Sequence, residues 1–148
     1  MKRSKAVIVF NDEWLNKRGV QTAYMTKILV IDDDAQDRCL LGTVLEERGY
    51  EVMLADSGRT GLMVCHRQHP DAVVLDLHMP ELDGRSVLQQ LRTLHPSLPV
   101  VVFSGHGTEE VEEDVLHRGA TAFIHKAFSL DQLGMALQEV LPPPKYDD

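Results

Sequence analysis

The chain lacks any long hydrophobic run. Its apolar stretches, such as residues 100–103, are far shorter than the roughly 20 residues a membrane-spanning helix needs. Residues 6–10 follow a basic start, as in a secretory leader, but Asn11, Asp12 and Glu13 end the stretch too early for an apolar leader core. The expected location is therefore cytoplasmic, with no membrane contact. Cysteine is scarce as well: Cys39 and Cys65 are the two present, without C-x-x-C spacing. That argues for packed or surface thiols over a disulfide or a metal pair. Positive charge is also short, with 15 Lys and Arg against 23 Asp and Glu, a formal net of −8. Direct nucleic-acid binding, which needs clustered Lys and Arg to neutralise phosphates, is not expected. The imbalance is uneven. Residues 1–24 hold five basic and two acidic side chains, a net of +3 that leaves −11 for the remainder.

What is present suffices for one core. A hydrophobic content of 43% over 148 residues suits a single compact domain. From Lys27 onward, short apolar runs (28–31, 51–55, 72–75, 100–103 and 122–124) alternate with longer amphipathic stretches. The runs are rich in Val and Ile with little polar alternation, as expected of strands covered on both faces. The stretches suit helices. Residues 35–48 place Cys39, Leu40, Val44 and Leu45 at helical spacing and end at Gly49, a good C-terminal stop. Ser57 can cap a second helix ending before Pro70, and residues 84–94 offer Val87, Leu88 and Leu91 as a buried stripe. Thr108 can cap a fourth helix with Glu109 and Glu110 at its positive end, and Gly119 ends it. Ser129 and Gln132 have the spacing of a capping box for a fifth, and the prolines at 142–144 forbid further helix.

Five strand–helix units in series imply a parallel sheet with helices on both faces. Ligands in such sheets sit at the carboxyl ends of the strands. The first run ends in Asp32-Asp33-Asp34, the third in Asp76, the fourth in Ser104 and the fifth just before Lys126. Carboxylates crowded on one rim repel one another unless a cation joins them. Mg²⁺ suits this donor set, because it takes one or two carboxylates together with phosphate oxygens and water. A carboxylate such as Asp76 can attack phosphorus, with the Ser104 hydroxyl and the Lys126 ammonium holding equatorial oxygens. Taken singly, each residue has an ordinary role as cap, turn or solvated side chain. The weight lies in their combination on successive strand ends.

In that combination the chain resembles the receiver domains of response regulators. The resemblance rests on Lys27-Ile-Leu-Val-Ile-Asp-Asp-Asp34, Asp76-Leu-His-Met-Pro-Glu-Leu-Asp-Gly84, Phe103-Ser-Gly105 and Phe123-Ile-His-Lys126, and covers residues 27–141. It implies a flavodoxin-like, doubly wound α/β fold, (βα)5, whose five-stranded parallel sheet has the order 2-1-3-4-5. It further implies that Asp76 is the phosphoacceptor and that Mg²⁺ is held by Asp33, Asp76, the His78 backbone carbonyl and, largely through water, Asp32. Ser104 and Phe123 take the switch positions, and Lys126 that of the phosphate-binding lysine. The partners implied are a sensor histidine kinase or phosphotransfer protein and a downstream target protein, with a phosphorylation-dependent homodimer among the assemblies allowed. The expected chemistry is phosphotransfer and self-dephosphorylation, without turnover as a free-standing enzyme.

One departure and several open positions accompany the resemblance. Where the family has proline after its lysine, this chain has Ala127. A cis bond there would cost about 3 kcal/mol without proline, so trans is expected. His78 and His106 stand two places after Asp76 and Ser104. They are candidates for tuning phosphate lifetime by blocking or orienting water, or else they decorate a loop rim. Residues 1–26 form an N-terminal extension of unknown role, with Met25 as an alternative start, and residues 142–148 form a C-terminal tail. A receiver standing alone is expected. Two rivals remain: an aspartate-nucleophile phosphatase of the haloacid dehalogenase type, with Asp32 as nucleophile and Asp34 as acid, and a receiver-like scaffold that works without phosphorylation.

Overall fold

A computed structural model describes residues 25–105, 107–126 and 129–144. Expectations placed on the extension before Met25, on His106, on the Lys126–Ala127 bond and on residues 145–148 fall outside the described residues. Five strands, β1 (Lys27–Ile31), β2 (Glu51–Ala55), β3 (Ala72–Leu75), β4 (Val100–Ser104) and β5 (Ala122–His125), alternate with five helices. The helices are α1 (Ala35–Glu47), α2 (Gly58–Gln68), α3 (Gly84–Leu94), α4 (Glu109–His117) and α5 (Leu130–Val140). All strand pairs are parallel, in the order β2-β1-β3-β4-β5. That is the order the resemblance implies.

Alternation within β1 explains why its run is wholly apolar. Ile28 and Val30 pack with Leu41 and Leu45 of α1 and Leu133 and Leu137 of α5. Leu29 and Ile31 face the other side, with Cys65 of α2, Val87, Leu88 and Leu91 of α3, and Val115 of α4. Both sheet faces are therefore dry, and a polar residue on either would be buried without a partner. Helix ends follow local chemistry. Side chains of Asp34, Ser57, Asp83, Thr108 and Ser129 accept from backbone N–H groups of their first turns. Ser129 and Gln132 complete the expected capping box.

One stripe needs correction. Cys39 and Leu40 are exposed, and α1 buries Leu41, Gly42, Val44 and Leu45 instead. The Asp34 cap sets the rotational phase of this helix, and that phase turns the 41, 44, 45 stripe toward the sheet. The chain closes on itself beyond α5: Tyr50 Oη donates to the Pro142 carbonyl at 2.8 Å, and Thr26 Oγ1 to that of Pro143 at 2.8 Å.

Candidate functional site

The carboxyl ends of the strands are laced together by backbone hydrogen bonds. Asp32 N donates to Ala55 O at 3.1 Å, Asp76 N to Ile31 O at 2.9 Å and Lys126 N to Ser104 O at 3.0 Å. Asp32, Asp76, Ser104 and Lys126 are thereby tied to the strand beside them. Gly84 fixes the other side of Asp76. Its N–H donates to Leu77 O at 2.9 Å, and a Cβ at this position would stand 2.5 Å from both Asp76 O and Leu77 Cα. Only glycine lets α3 start this close to the strand end.

On this rim, Asp32, Asp33 and Asp76 each present a carboxylate oxygen, all within 4.8 Å of one another. Asp32 and Asp76 are buried, whereas Asp33 is exposed. Burial foremost, and the neighbouring Asp76 charge after it, push the Asp32 carboxyl from 3.8 up to about 6, against the Asp34 backbone N–H and Lys126. Asp76 is raised too, first by burial and also by Asp33, while Lys126 and the His78 backbone N–H oppose the shift. Two dry carboxyls that resist ionisation beside a third, solvated one are the donor set that a hard divalent cation relieves. The residues fit Mg²⁺.

The four acids of the segment after β1 have separate surroundings. Asp32 Oδ1 accepts from Asp34 N at 2.9 Å. Asp34 gives its own Oδ1 to Gln36 N at 2.9 Å and Asp37 N at 3.1 Å. A carboxylate spent on a helix cap is poorly placed to serve as the acid of a phosphatase. Asp37, which sequence reasoning missed, faces Lys126: Nζ stands 2.8 Å from its Oδ2, 3.2 Å from Asp32 Oδ2 and 3.5 Å from Asp76 Oδ1. The signal was available, since Asp37 lies one turn beyond the strand end on a helix whose first turn overhangs the rim. Burial works against the Lys126 charge, but the Asp37 hydrogen bond and the fields of Asp32 and Asp76 outweigh it, so its proton is held more tightly than usual. The same ammonium lies 5.5 Å from the centre of the Phe103 ring.

Ser104 ends β4 fully buried, paired in register with His125. Phe123 on β5 is half-buried, meets the His125 ring edge-on at 4.9 Å between centroids, and covers Gly107, where a Cβ would collide with its ring. His78 is exposed, beside the rim. Among the described residues no helix is long and apolar enough to cross a membrane.

Residues 28–138 match the family model described as the response regulator receiver domain. The regulatory protein AtoC of Escherichia coli is 33% identical over 79% of this chain, and the response regulator MprA of Mycolicibacterium vanbaalenii is 38% identical over 82%. This chain spans only 25% and 53% of those two relatives. Among solved structures, the Vibrio cholerae chemotaxis protein CheY4 aligns with a TM-score of 0.75 at 28% identity, over 80% of this chain and all of that one. The receiver domain of NtrX from Brucella abortus aligns at 0.72 and 35% identity, over 77% of this chain and 97% of that one. With its parallel 2-1-3-4-5 sheet, its rim of carboxylates and this match to the family model, the chain belongs to the response-regulator receiver domains, the phosphoacceptor signalling modules of two-component systems.

Proposed function

We propose that Asp76 accepts a phosphoryl group from the phosphohistidine of a sensor histidine kinase or phosphotransfer protein, and that the modified chain then engages a downstream target protein. The observation that carries this reading is the meeting of three carboxylates and one ammonium on the sheet rim, with Lys126 Nζ 3.5 Å from Asp76 Oδ1. An oxygen of Asp76 attacks phosphorus, the P–N bond to the donor imidazole breaks, and an acyl phosphate forms. Asp33, Asp76, the His78 backbone carbonyl and, largely through water, Asp32 would hold Mg²⁺, which would supply charge neutralisation for the incoming phosphoryl oxygens. Lys126 and the Ser104 hydroxyl hold phosphoryl oxygens as charge spreads over them. Hydrolysis reverses the mark: water attacks phosphorus, the bond to Asp76 breaks, and inorganic phosphate leaves.

Phosphorylation adds about −1.5 to −2 charges at a site where α4 and β5 begin and end. Ser104 drawn toward the phosphoryl group leaves space into which Phe123 turns, changing the surface around α4 and β5. His78, exposed beside the rim, and His106, by its place in the sequence two residues after Ser104, are candidates for setting phosphate lifetime by blocking or orienting water. Residues 27–141 constitute the receiver, in the cytoplasm.

Intact mass after incubation with acetyl phosphate and Mg²⁺ tests the reading. One labile phosphoryl group is expected on the parent chain and none on Asp76→Ala. A label that survives in Asp76→Ala, or no label on the parent chain, overturns it.

A further inference from the structure

Lys126 is shared among three carboxylates, and its shortest contact is with the one that lies outside the candidate metal cluster. Asp37 Oδ2 is 2.8 Å from Nζ, against 3.2 Å to Asp32 and 3.5 Å to Asp76. Asp37 is itself fixed from behind. Its backbone N–H bonds the Asp34 cap, Asp34 N bonds Asp32, and Arg38 Nη1 donates to Asp32 O at 2.9 Å. The first turn of α1 thus holds a carboxylate at a set place above the rim. A cation joining Asp32, Asp33 and Asp76 would neutralise two of the three groups that attract Lys126. Asp37 would keep its charge.

We propose that Asp37 is a positioning residue that tethers the Lys126 ammonium over Asp76, so that the lysine meets an incoming phosphoryl oxygen without first being recruited from solvent. An ammonium has three donors, so holding Asp37 leaves two for phosphoryl oxygens. The tether also supplies aim from the α1 side in a chain where Ala127, and no proline, follows the lysine. The inference rests on Asp76 as phosphoacceptor, and its test separates the two.

Beryllofluoride with saturating Mg²⁺, titrated into the full chain by calorimetry, stands in for the phosphoryl group. Asp37→Asn is expected to weaken beryllofluoride binding by roughly three- to tenfold, as loss of one charge-assisted hydrogen bond at a half-exposed site implies. Affinity for Mg²⁺ alone is expected to change much less, and Asp37→Glu to restore most of the loss. In the metal-free protein, the Lys126 Cε and Hε resonances should move in Asp37→Asn and return toward their original positions in Asp37→Glu. Equal or tighter beryllofluoride binding by Asp37→Asn, or unmoved Lys126 resonances, overturns the tether. If the parent chain takes up neither beryllofluoride nor a phosphoryl group, the phosphoacceptor reading itself falls.

Discussion

Asp32 is where the chemistry of the rim is most sensitive to pH. Its carboxyl lies at about 6 in the folded chain and 3.8 when solvated. Below 3.8 it is protonated in both states and contributes nothing to the balance. Between 3.8 and about 6 the folded state keeps a proton that the unfolded state has released, so stability from this group falls as pH rises through that window. Above about 6 both states are ionised and the penalty is constant. Mg²⁺ bound through Asp32, as proposed, would compete with that proton. The melting temperature is therefore expected to rise on adding Mg²⁺ at pH 7.5 and to rise much less at pH 5, by calorimetry in matched ionic strength. An equal rise at both values would mean that Mg²⁺ binds away from Asp32. At this scale the sequence was legible where residues follow strand ends, because β-strand geometry delivers Asp32, Asp76, Ser104 and Lys126 to one rim. At Asp37 it was legible in part: the place one turn beyond β1 could be read, but the partner is 89 residues away and depends on the rotational phase of α1. The same phase moved the buried stripe from Cys39 and Leu40 to Leu41.

Among elements, the connection from β3 to α3 carries the tightest constraint. The turn passes through Glu81 at φ 65°, in the left-handed region where a non-glycine residue is strained. It ends on Asp83, whose side chain caps α3 by accepting from Ser86 N at 3.0 Å. Gly84 then sits against the backbone of Asp76 and Leu77, two groups that cannot swing aside as a long side chain would. Gly84→Ala is expected to shift the Asp76 strand end or the start of α3, costing about 1–3 kcal/mol as overpacked sites do. Chemical denaturation gives the first number, and acetyl phosphate labelling the second, which should slow as well. If labelling is unchanged while stability falls, the helix start has yielded and Asp76 has not moved. Strand and helix bounds were legible to within a residue or so, since caps and glycine stops are local. The close approach of Gly84 was not, because it requires knowing which backbone lies alongside.

Across the whole molecule, two dry cores support a rim that works against folding. Both faces of the sheet bury aliphatic side chains completely, with Ile28, Leu29, Val30 and Ile31 of β1 all at 0% exposure. That burial offsets the cost of holding Asp32 and Asp76 close together with little water. The strand order follows from the family pattern more than from periodicity, because alternating apolar runs are equally compatible with other orders. If the rim is the destabilised part, removing one charge should strengthen the fold while destroying its chemistry. Asp32→Asn is expected to raise the melting temperature of the metal-free protein at pH 7.5, where Asp32 is ionised, and to change it little at pH 4.5, where Asp32 keeps its proton. The same variant should lose most of the Mg²⁺-induced rise and most acetyl phosphate labelling. Lys126 retains Asp37 and Asp76 as partners in that variant, so the ammonium is not stranded. A lower melting temperature at pH 7.5 would show that the Asp32–Lys126 pair stabilises the fold by more than the burial of Asp32 costs it.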